Sequence, residues 1–259
     1  MTVPVDTLGS GPTLAPAGLP PLRAGSWPAR ALAGAGLLAV SWYGLRSGAV
    51  QRADVRIGDA VRAGGTPALD QAVRYTTDLG SMYSVLGVAG VLAATGRRRA
   101  AADVVGVGGL AWNIAQYNKT RVRRQRPYES EGVRRLVRPP TGSSFPSGHA
   151  AVGAAMFTML ADHAPALRGR RFLQGLGAYV AVSRIYVGVH YPTDVIGGAG
   201  LGLALGAVWR GPLAAANHML VSRAFSTARR RSGPMVRRLP GVARTARSVG
   251  PAPGPADVS

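Results

Sequence analysis

Six stretches with few or no charges recur along the chain, and they limit the folds that it can adopt. They cover residues 31–45, 80–96, 104–118, 148–161, 172–189 and 195–209, so that each is 14 to 18 residues long. A helix needs roughly 20 residues to cross a bilayer, but arginines at the ends of a shorter stretch can snorkel and lengthen the span. Six such stretches exceed the apolar content of an ordinary soluble core. We therefore predict an all-α bundle of six transmembrane helices, with a soluble bundle of buried Ala/Gly-rich helices as the alternative.

The residues on either side of these stretches differ from them in composition and divide the chain into three parts. Residues 1–28 are rich in proline and glycine and have no apolar period, which predicts a disordered leader and not a signal peptide. Residues 29–210 form the predicted membrane-embedded domain. Residues 211–259 combine repeated arginines with glycine and proline, which predicts a basic, disordered cytoplasmic tail.

The charge of the chain indicates which partners it can bind. Lysine and arginine total 31 against 11 acidic residues, for a formal net charge of +20. Such a charge favours nucleic acid, an anionic membrane surface or a phosphate-bearing substrate. The cations do not form one stripe and contain no known nucleic-acid-binding motif, so we do not predict a nucleic-acid partner. The chain has no cysteine, which excludes disulfides and thiolate metal sites or nucleophiles.

The short loops predict how the six segments are oriented. If all six span a bilayer, the loops at 97–99 and 168–171 lie on one side, together with both chain ends, and hold six arginines between them. The positive-inside rule makes that side cytoplasmic. The loops at 46–79, 119–147 and 190–194 then lie outside, although residues 119–127, KTRVRRQRP, are strongly basic. A basic loop on the outer side needs another explanation, and we expect it to bind an anion.

Three short motifs lie at helix ends on the predicted outer side. They are Lys119-x6-Arg126-Pro127, Pro146-Ser147-Gly148-His149 and Ser183-Arg184-x5-His190-x3-Asp194.

The first set of motif residues suits phosphate binding. Arginine presents a planar fork to two oxygens and lysine a compact charge, so Lys119, Arg126 and Arg184 can together hold a tetrahedral dianion. Lys119 is the only lysine in a chain that otherwise uses arginine, which indicates a specific role. Ser147 is a predicted N-cap, and Gly148 lets a ligand approach the free N–H groups of the helix that it begins.

The second set of motif residues suits group transfer. Asp194 lies four residues after His190, so it can accept a hydrogen bond from one ring nitrogen and leave the other as a nucleophile. His149, in the first turn of its helix, can donate a proton to a leaving oxygen. Three cations around two histidines and one aspartate are a poor site for a divalent metal, so we predict no metal or other cofactor and a metal-free phosphoryl transfer.

The order and spacing of the three motifs resemble those of the type 2 phosphatidic acid phosphatase superfamily. The resemblance covers roughly residues 50–210, and no signature position departs from the pattern. It implies a six-helix membrane-embedded phosphatase with its active site at the extracytoplasmic helix ends. It also implies that His190 forms a phosphohistidine, that Asp194 orients His190, and that His149 protonates the leaving group and then activates water. The residues implied to hold the phosphoryl oxygens are Lys119, Arg126, Ser147, Gly148 and Arg184.

Several functions stay open within this resemblance. The superfamily also contains soluble acid phosphatases and vanadium haloperoxidases, which share the pocket, and the chain could instead be a non-catalytic membrane protein that binds anionic lipid through its arginines. The six apolar segments favour the integral-membrane lipid phosphatases. Phosphatidic acid, phosphatidylglycerol phosphate and polyprenyl phosphates or diphosphates are all candidate substrates, and the motifs predict no oligomeric state.

Overall fold

The chain folds into a bundle of helices. The structure is a computed structural model and describes residues 26–164, 166–214, 216–220 and 223, in which every regular element is helical. The helices are α1 Ser26–Gly44, α2 Gly48–Ala63, α3 Pro67–Thr76, α4 Met82–Ala94, α5 Arg98–Arg121, α6 Pro127–Ser130, α7 Gly148–His163, α8 Leu167–Tyr186 and α9 Pro192–Val208. A 3₁₀ turn, Thr77–Gly80, joins α3 to α4, and a π-helical turn, Trp209–Leu213, follows α9.

Each of the six apolar segments overlaps one helix. They correspond to α1, α4, α5, α7, α8 and α9, so the prediction of an all-α fold is confirmed. No single helix in the described ranges has both the length and the mean hydropathy of a membrane span. The helical stretches Pro67–Gly80 and Met82–Ala94 meet both conditions as a pair, although the chain bends by 68° between them.

The two chain ends fall largely outside these ranges. Of the predicted leader, residues 1–25 lie outside the described residues and Ser26 begins α1. Of the predicted tail, residues 216–220 are helical, and residues 224–259 lie outside the described residues.

The stretch 46–79, which the charge pattern assigns to a loop, contains two helices. Ser47 caps α2 by accepting a hydrogen bond from Val50 N at 3.4 Å, and Thr66 caps α3 by accepting one from Leu69 N at 3.2 Å. Both helices are amphipathic, and their charged residues exclude them from the stretches with few or no charges on which the prediction was based. One residue that α2 buries is Asp54, which matters for the site described below.

Helix α7 is the central element of the bundle. It packs against α5, α8 and α9, and most of its side chains are buried. Five of its eleven buried residues are alanines, and several of its buried side chains share one apolar cluster with valines of the neighbouring helices, such as Val107 of α5 and Val180 of α8. Small side chains allow the helices to approach closely, and this fixes the position of the α7 N-terminus relative to its neighbours.

Two glycines of α9 set its distance from α7. A Cβ atom at Gly198 would overlap the carbonyl oxygen of Ser147, and one at Gly202 would overlap that of Ala151. Only glycine leaves room for backbone contact of this kind. The contact brings the first turn of α9 beside that of α7, where Ser147 N donates a hydrogen bond to the Asp194 carbonyl oxygen at 3.0 Å.

Candidate active site

The N-terminus of α7 forms one wall of the candidate site. Ser147 is its N-cap, as predicted, and its buried hydroxyl accepts a hydrogen bond from Ala150 N at 3.4 Å. Gly148 is the first helical residue, so free backbone N–H groups and the positive end of the helix dipole point out of this turn. Phe145 and Pro146, joined by a cis peptide bond, lead into it.

Lys119 lies beside this turn. It stands in the last turn of α5, just after the third apolar segment, and its Nζ is 3.9 Å from the position that a Cβ atom would take at Gly148. Within the described ranges its ammonium has no hydrogen-bond or ion-pair partner. A cation in this position is free to bind an anion at the α7 N-terminus.

Arg126 is fully buried between the loop at 141–143 and the residue before His190. Its guanidinium donates hydrogen bonds to the carbonyl oxygens of Val189 at 3.0 Å, Ser143 at 3.1 Å, Gly142 at 3.2 Å and Thr141 at 3.3 Å. Its Nη1 also lies 3.4 Å from His190 Nε2. Arg126 therefore holds two chain segments together, and its charge lies against a ring nitrogen of His190, the predicted nucleophile.

Arg184 and His149 approach the same region from α8 and α7. Arg184 is buried near the end of α8, as predicted, and donates from Nη1 to Thr77 Oγ1 at 2.9 Å, while its Nε has no hydrogen-bond partner among the described residues. His149 Nε2 lies 3.3 Å from Asp78 Oδ1, and that oxygen is 4.0 Å from Arg184 Nη1. Asp78, on the 3₁₀ turn, thus contacts both the predicted acid and one predicted phosphate ligand.

His190 and Asp194 are close together, but they do not share one helical face. The prediction placed them one helical turn apart, whereas α9 begins at Pro192 and His190 precedes it. His190 Nδ1 lies 3.6 Å from Asp194 Oδ2, which is longer than a hydrogen bond, and this buried nitrogen has no hydrogen-bond partner among the described residues.

Asp194 is held by other groups on every side. Its Oδ2 accepts hydrogen bonds from Ser144 Oγ at 2.5 Å and from Tyr191 N at 2.8 Å, and its Oδ1 accepts one from Arg124 Nη1 at 2.7 Å. Arg124 also lies over the ring of Tyr191, 4.2 Å from its centre. The carboxylate therefore has one defined orientation, with Oδ2 toward His190.

Sequence reasoning missed several of these polar residues. They are Asp54, Thr77, Asp78, Arg124, Ser144, Tyr191 and Thr193. Arg124 belongs to the basic stretch that the sequence singled out, but no spacing rule separates it from its neighbours. Asp54 and Asp78 occur in the stretch 46–79, where no pattern relates them to partners 70 or 71 positions away, so only the packing of the helices reveals them.

Burial and neighbouring charges shift the pKa values of Lys119, His190 and Asp194. Burial, reinforced by the charges of Arg126 and Arg184, lowers the pKa of Lys119 to about 8. Burial also lowers the pKa of His190 to about 3, against the opposing effect of Asp194, and Arg126 and Lys119 add to the lowering. Burial acts to raise the pKa of Asp194, but His190 and Arg124 outweigh it and keep that pKa below its usual value.

This arrangement can bind an oxyanion beside a neutral imidazole. Lys119, Arg126 and Arg184 are close enough for their charges to affect one another and the two histidines, and the α7 N-terminus adds free N–H groups. A carboxylate pairs with each histidine, Asp194 with His190 and Asp78 with His149. Among the described residues, no three His, Asp or Glu side chains come together as a metal site would require.

Comparisons of sequence identify a family and relatives of this chain. The sequence model of the family described as "PAP2 superfamily" matches residues 100–213, which contain all three motifs. The decaprenylphosphoryl-5-phosphoribose phosphatase of Mycobacterium tuberculosis is 37% identical over 127 residues, which are 49% of this chain and 68% of that protein. The undecaprenyl-diphosphatase of Sulfolobus acidocaldarius is 36% identical over 99 residues, which are 36% of this chain and 45% of that protein.

Solved structures share the fold. A transmembrane PAP2-type phosphatidylglycerolphosphate phosphatase from Bacillus subtilis superposes with a TM-score of 0.60 at 24% identity, covering 79% of this chain and 99% of that one. LpxE of Aquifex aeolicus superposes with a TM-score of 0.55 at 26% identity, covering 60% of this chain and 92% of that one.

Proposed function

This chain belongs to the PAP2 superfamily, and we propose that it is a membrane phosphatase that hydrolyses a lipid phosphate monoester or diphosphate through a phosphohistidine. The observation that carries the proposal is the convergence of three cations and the α7 N-terminus around two histidines, each paired with an aspartate. The relatives of this chain are named as phosphatases, which agrees with hydrolysis of a phosphoric ester.

In the first step, His190 Nε2 attacks phosphorus and the bond from phosphorus to the leaving oxygen breaks. His149 donates its proton to that oxygen, so the leaving group departs as an alcohol or a protonated phosphate. Lys119, Arg126 and Arg184 neutralise the phosphoryl oxygens as charge redistributes. The low pKa of His190 supports this role, because the ring is neutral and its lone pair is available at physiological pH.

In the second step, water replaces His190 on phosphorus. His149, now neutral, removes a proton from the water, the new P–O bond forms, and the P–N bond breaks to release inorganic phosphate. Asp194 stabilises the positive charge that the His190 ring carries while it is phosphorylated. The ordered contacts of Asp194 with Ser144, Tyr191 and Arg124 support this role.

The donor set favours catalysis without a metal ion. The groups that face the proposed phosphate site are cations and N–H donors, which supply the charge that magnesium supplies in many phosphoryl transferases. We expect activity to survive dialysis against a chelator. Loss of activity that magnesium or zinc restores would contradict this mechanism.

The helix surfaces support a membrane location for the domain. Large apolar side chains are exposed along α1, α4 and α8, and they include Leu32, Val40, Leu86, Val91, Phe172 and Val182. Exposed apolar residues on several helices of one bundle are expected where lipid surrounds them. We propose that the six apolar segments span the bilayer, that the site opens on the extracytoplasmic side, and that both chain ends are cytoplasmic.

The substrate class follows from the relatives and not from the motifs, which bind only the phosphoryl group. We propose a polyprenyl-linked phosphate as the first substrate to test, since one relative is named for a decaprenylphosphoryl-5-phosphoribose and another for undecaprenyl diphosphate. The test is release of inorganic phosphate by the purified protein from polyprenyl phosphate, polyprenyl diphosphate, phosphatidic acid and phosphatidylglycerol phosphate. If the protein releases phosphate from none of these lipids, the result favours the alternative of a non-catalytic lipid-binding protein.

The intermediate has a separate test with nitrophenyl phosphate carrying a radioactive phosphoryl group. We expect alkali-stable label on the protein in the His149→Ala variant, because an activated ester transfers its phosphoryl group without protonation and the variant then hydrolyses the intermediate slowly. We expect no label in His190→Ala. The quench must be alkaline because phosphohistidine is acid-labile, and equal labelling of both variants would overturn the assignment.

A further inference from the structure

Behind the His190–Asp194 pair, hydrogen bonds and one peptide bond join four residues in a closed ring. Arg124 Nη1 donates to Asp194 Oδ1 at 2.7 Å, and Arg124 Nη2 donates to Asp54 Oδ2 at 2.6 Å. Asp54 Oδ1 accepts from Thr193 N at 2.9 Å and from Thr193 Oγ1 at 2.7 Å. Since Thr193 directly precedes Asp194 in the chain, these contacts return to their starting point. We call these four residues the Arg124 ring.

The ring is buried, and it holds two carboxylates but only one cation. Asp54 and Asp194 have side chains 3% and 0% exposed, and one arginine, 15% exposed, lies between the two carboxylates. Buried charges of this kind are costly to leave unpaired, so a structure keeps them only where each has its partner. The two carboxylates, outweighing the effect of burial, raise the pKa of Arg124, which therefore stays charged.

From this geometry we infer that Arg124 and Asp54 are positioning residues for the nucleophile, acting on His190 through Asp194. The inference rests on the proposed function. Arg124 holds Asp194 Oδ1, while Ser144 and Tyr191 N hold Oδ2, so the carboxylate cannot rotate away from the His190 ring.

Asp54 has the second role in this inference. By sharing Arg124, it prevents that cation from neutralising Asp194 alone, so Asp194 keeps negative charge for the phosphorylated imidazole. Asp54 comes from α2, which lies outside residues 100–213, the region that the family model matches. A helix beyond the matched region thus contributes to the geometry of the nucleophile.

The test compares kcat and KM in Asp54→Asn, Arg124→Gln and Arg124→Lys. Loss of a group that orients a functional residue typically costs about 10- to 100-fold, so we expect kcat to fall by about that factor in the first two variants. KM and competitive inhibition by inorganic phosphate should change by less than about threefold, because the phosphate ligands are untouched. Arg124→Lys should recover part of the loss in kcat, since lysine restores the charge but not the fork.

A double variant tests whether the effect passes through Asp194. If it does, adding Asp54→Asn to Asp194→Asn should lower kcat little further, since the residue that transmits the effect is already altered. An equal fall in both backgrounds would overturn the inference, as would a wild-type kcat in Asp54→Asn. A kcat loss matched by lost phosphate binding would also overturn it, because that result indicates collapse of the whole site.

Milder variants serve if Asp54→Asn does not fold. Thr193→Val removes the Oγ1 donor and keeps the backbone N–H, so it should lose a smaller part of kcat, and Thr193→Ser should restore it.

The matched controls are Asp59→Asn on α2 and Arg123→Gln beside Arg124, both exposed in this structure. An inactive wild type would refute the proposed function and this inference with it, whereas an active wild type with unaffected ring variants would refute this inference alone.

Discussion

The three cations of the site differ in how many of their N–H groups already donate hydrogen bonds within the protein. Arg126 gives its N–H groups to four backbone carbonyls, whereas Arg184 keeps a buried Nε without a described partner. Lys119 has no hydrogen bond or ion pair within the described part of the chain. Arg126 thus acts mainly as a fixed charge and a structural tie, while Lys119 and Arg184 retain donors for an incoming phosphoryl group.

Lys119 is expected to control the alkaline limit of activity. Its pKa of about 8 means that the free enzyme loses this charge as the pH rises through 8, so kcat/KM should fall there. In Lys119→Arg the cation persists, so this alkaline fall should disappear, while kcat/KM at pH 7 should drop about tenfold or more because a guanidinium cannot replace a compact ammonium. Profiles of kcat/KM from pH 6 to 10 check this, and a retained fall near pH 8 in the variant would contradict it.

Asp78 is expected to support His149 as the proton donor. The His149 ring keeps the pKa of Asp78 below its usual value despite partial burial, so the carboxylate is charged when it contacts Nε2. Asp78→Asn should therefore slow hydrolysis of a lipid ester, whose alkoxide needs a proton, by about tenfold or more. Hydrolysis of nitrophenyl phosphate should change much less. Equal losses on both substrates would assign Asp78 to phosphate binding or to stability instead.

At the scale of helices, the contact between α7 and α9 brings the two halves of the site together. The predicted phosphate-binding turn begins α7 and the predicted nucleophile precedes α9, so their separation depends on how closely these helices approach. Gly198 lies one turn after Asp194 and its α-carbon faces the Ser147 carbonyl oxygen. Packing at this glycine therefore connects the stability of the bundle to the geometry of the candidate site.

Gly198→Ala is expected to impair both properties. The added methyl group would overlap backbone, which cannot move aside as a side chain can, so we expect a loss of about 1–3 kcal/mol in the free energy of unfolding and a lower kcat. Gly90→Ala on α4 is the matched control, because a Cβ atom there has open space around it. Thermal unfolding midpoints and phosphate release measure the two effects. Equal midpoints for the two variants would show that the α7–α9 contact tolerates a Cβ atom.

For the whole molecule, the lack of native cysteine makes the proposed topology directly testable. Single cysteines can be placed at either chain end and at Arg138, which is exposed in the loop before α7. In intact cells an impermeant thiol reagent should label Arg138→Cys and leave both chain ends unlabelled, because arginine-rich short loops stay cytoplasmic. Disruption of the membrane should then expose the chain ends to label. Labelled ends with an unlabelled loop would reverse the orientation.

The sequence alone determined the helical class and the family, and it predicted the site residues. Six apolar segments predict helices because a bilayer or a helical core requires the same continuous stretch, and the motifs are local enough to be recognised by spacing. The N-cap role of Ser147 was also predictable, since capping depends on a few neighbouring residues.

Only the tertiary structure decided which residues support that site. His190 lies outside α9, so its approach to Asp194 comes from the loop and not from helical periodicity. Asp78 reaches His149 across 71 positions of sequence, and Arg124 reaches both Asp54 and Asp194 across 70. A pairing of this kind leaves no local pattern, because it depends on how α2, α7 and α9 pack, and small residues along several helices determine that packing jointly.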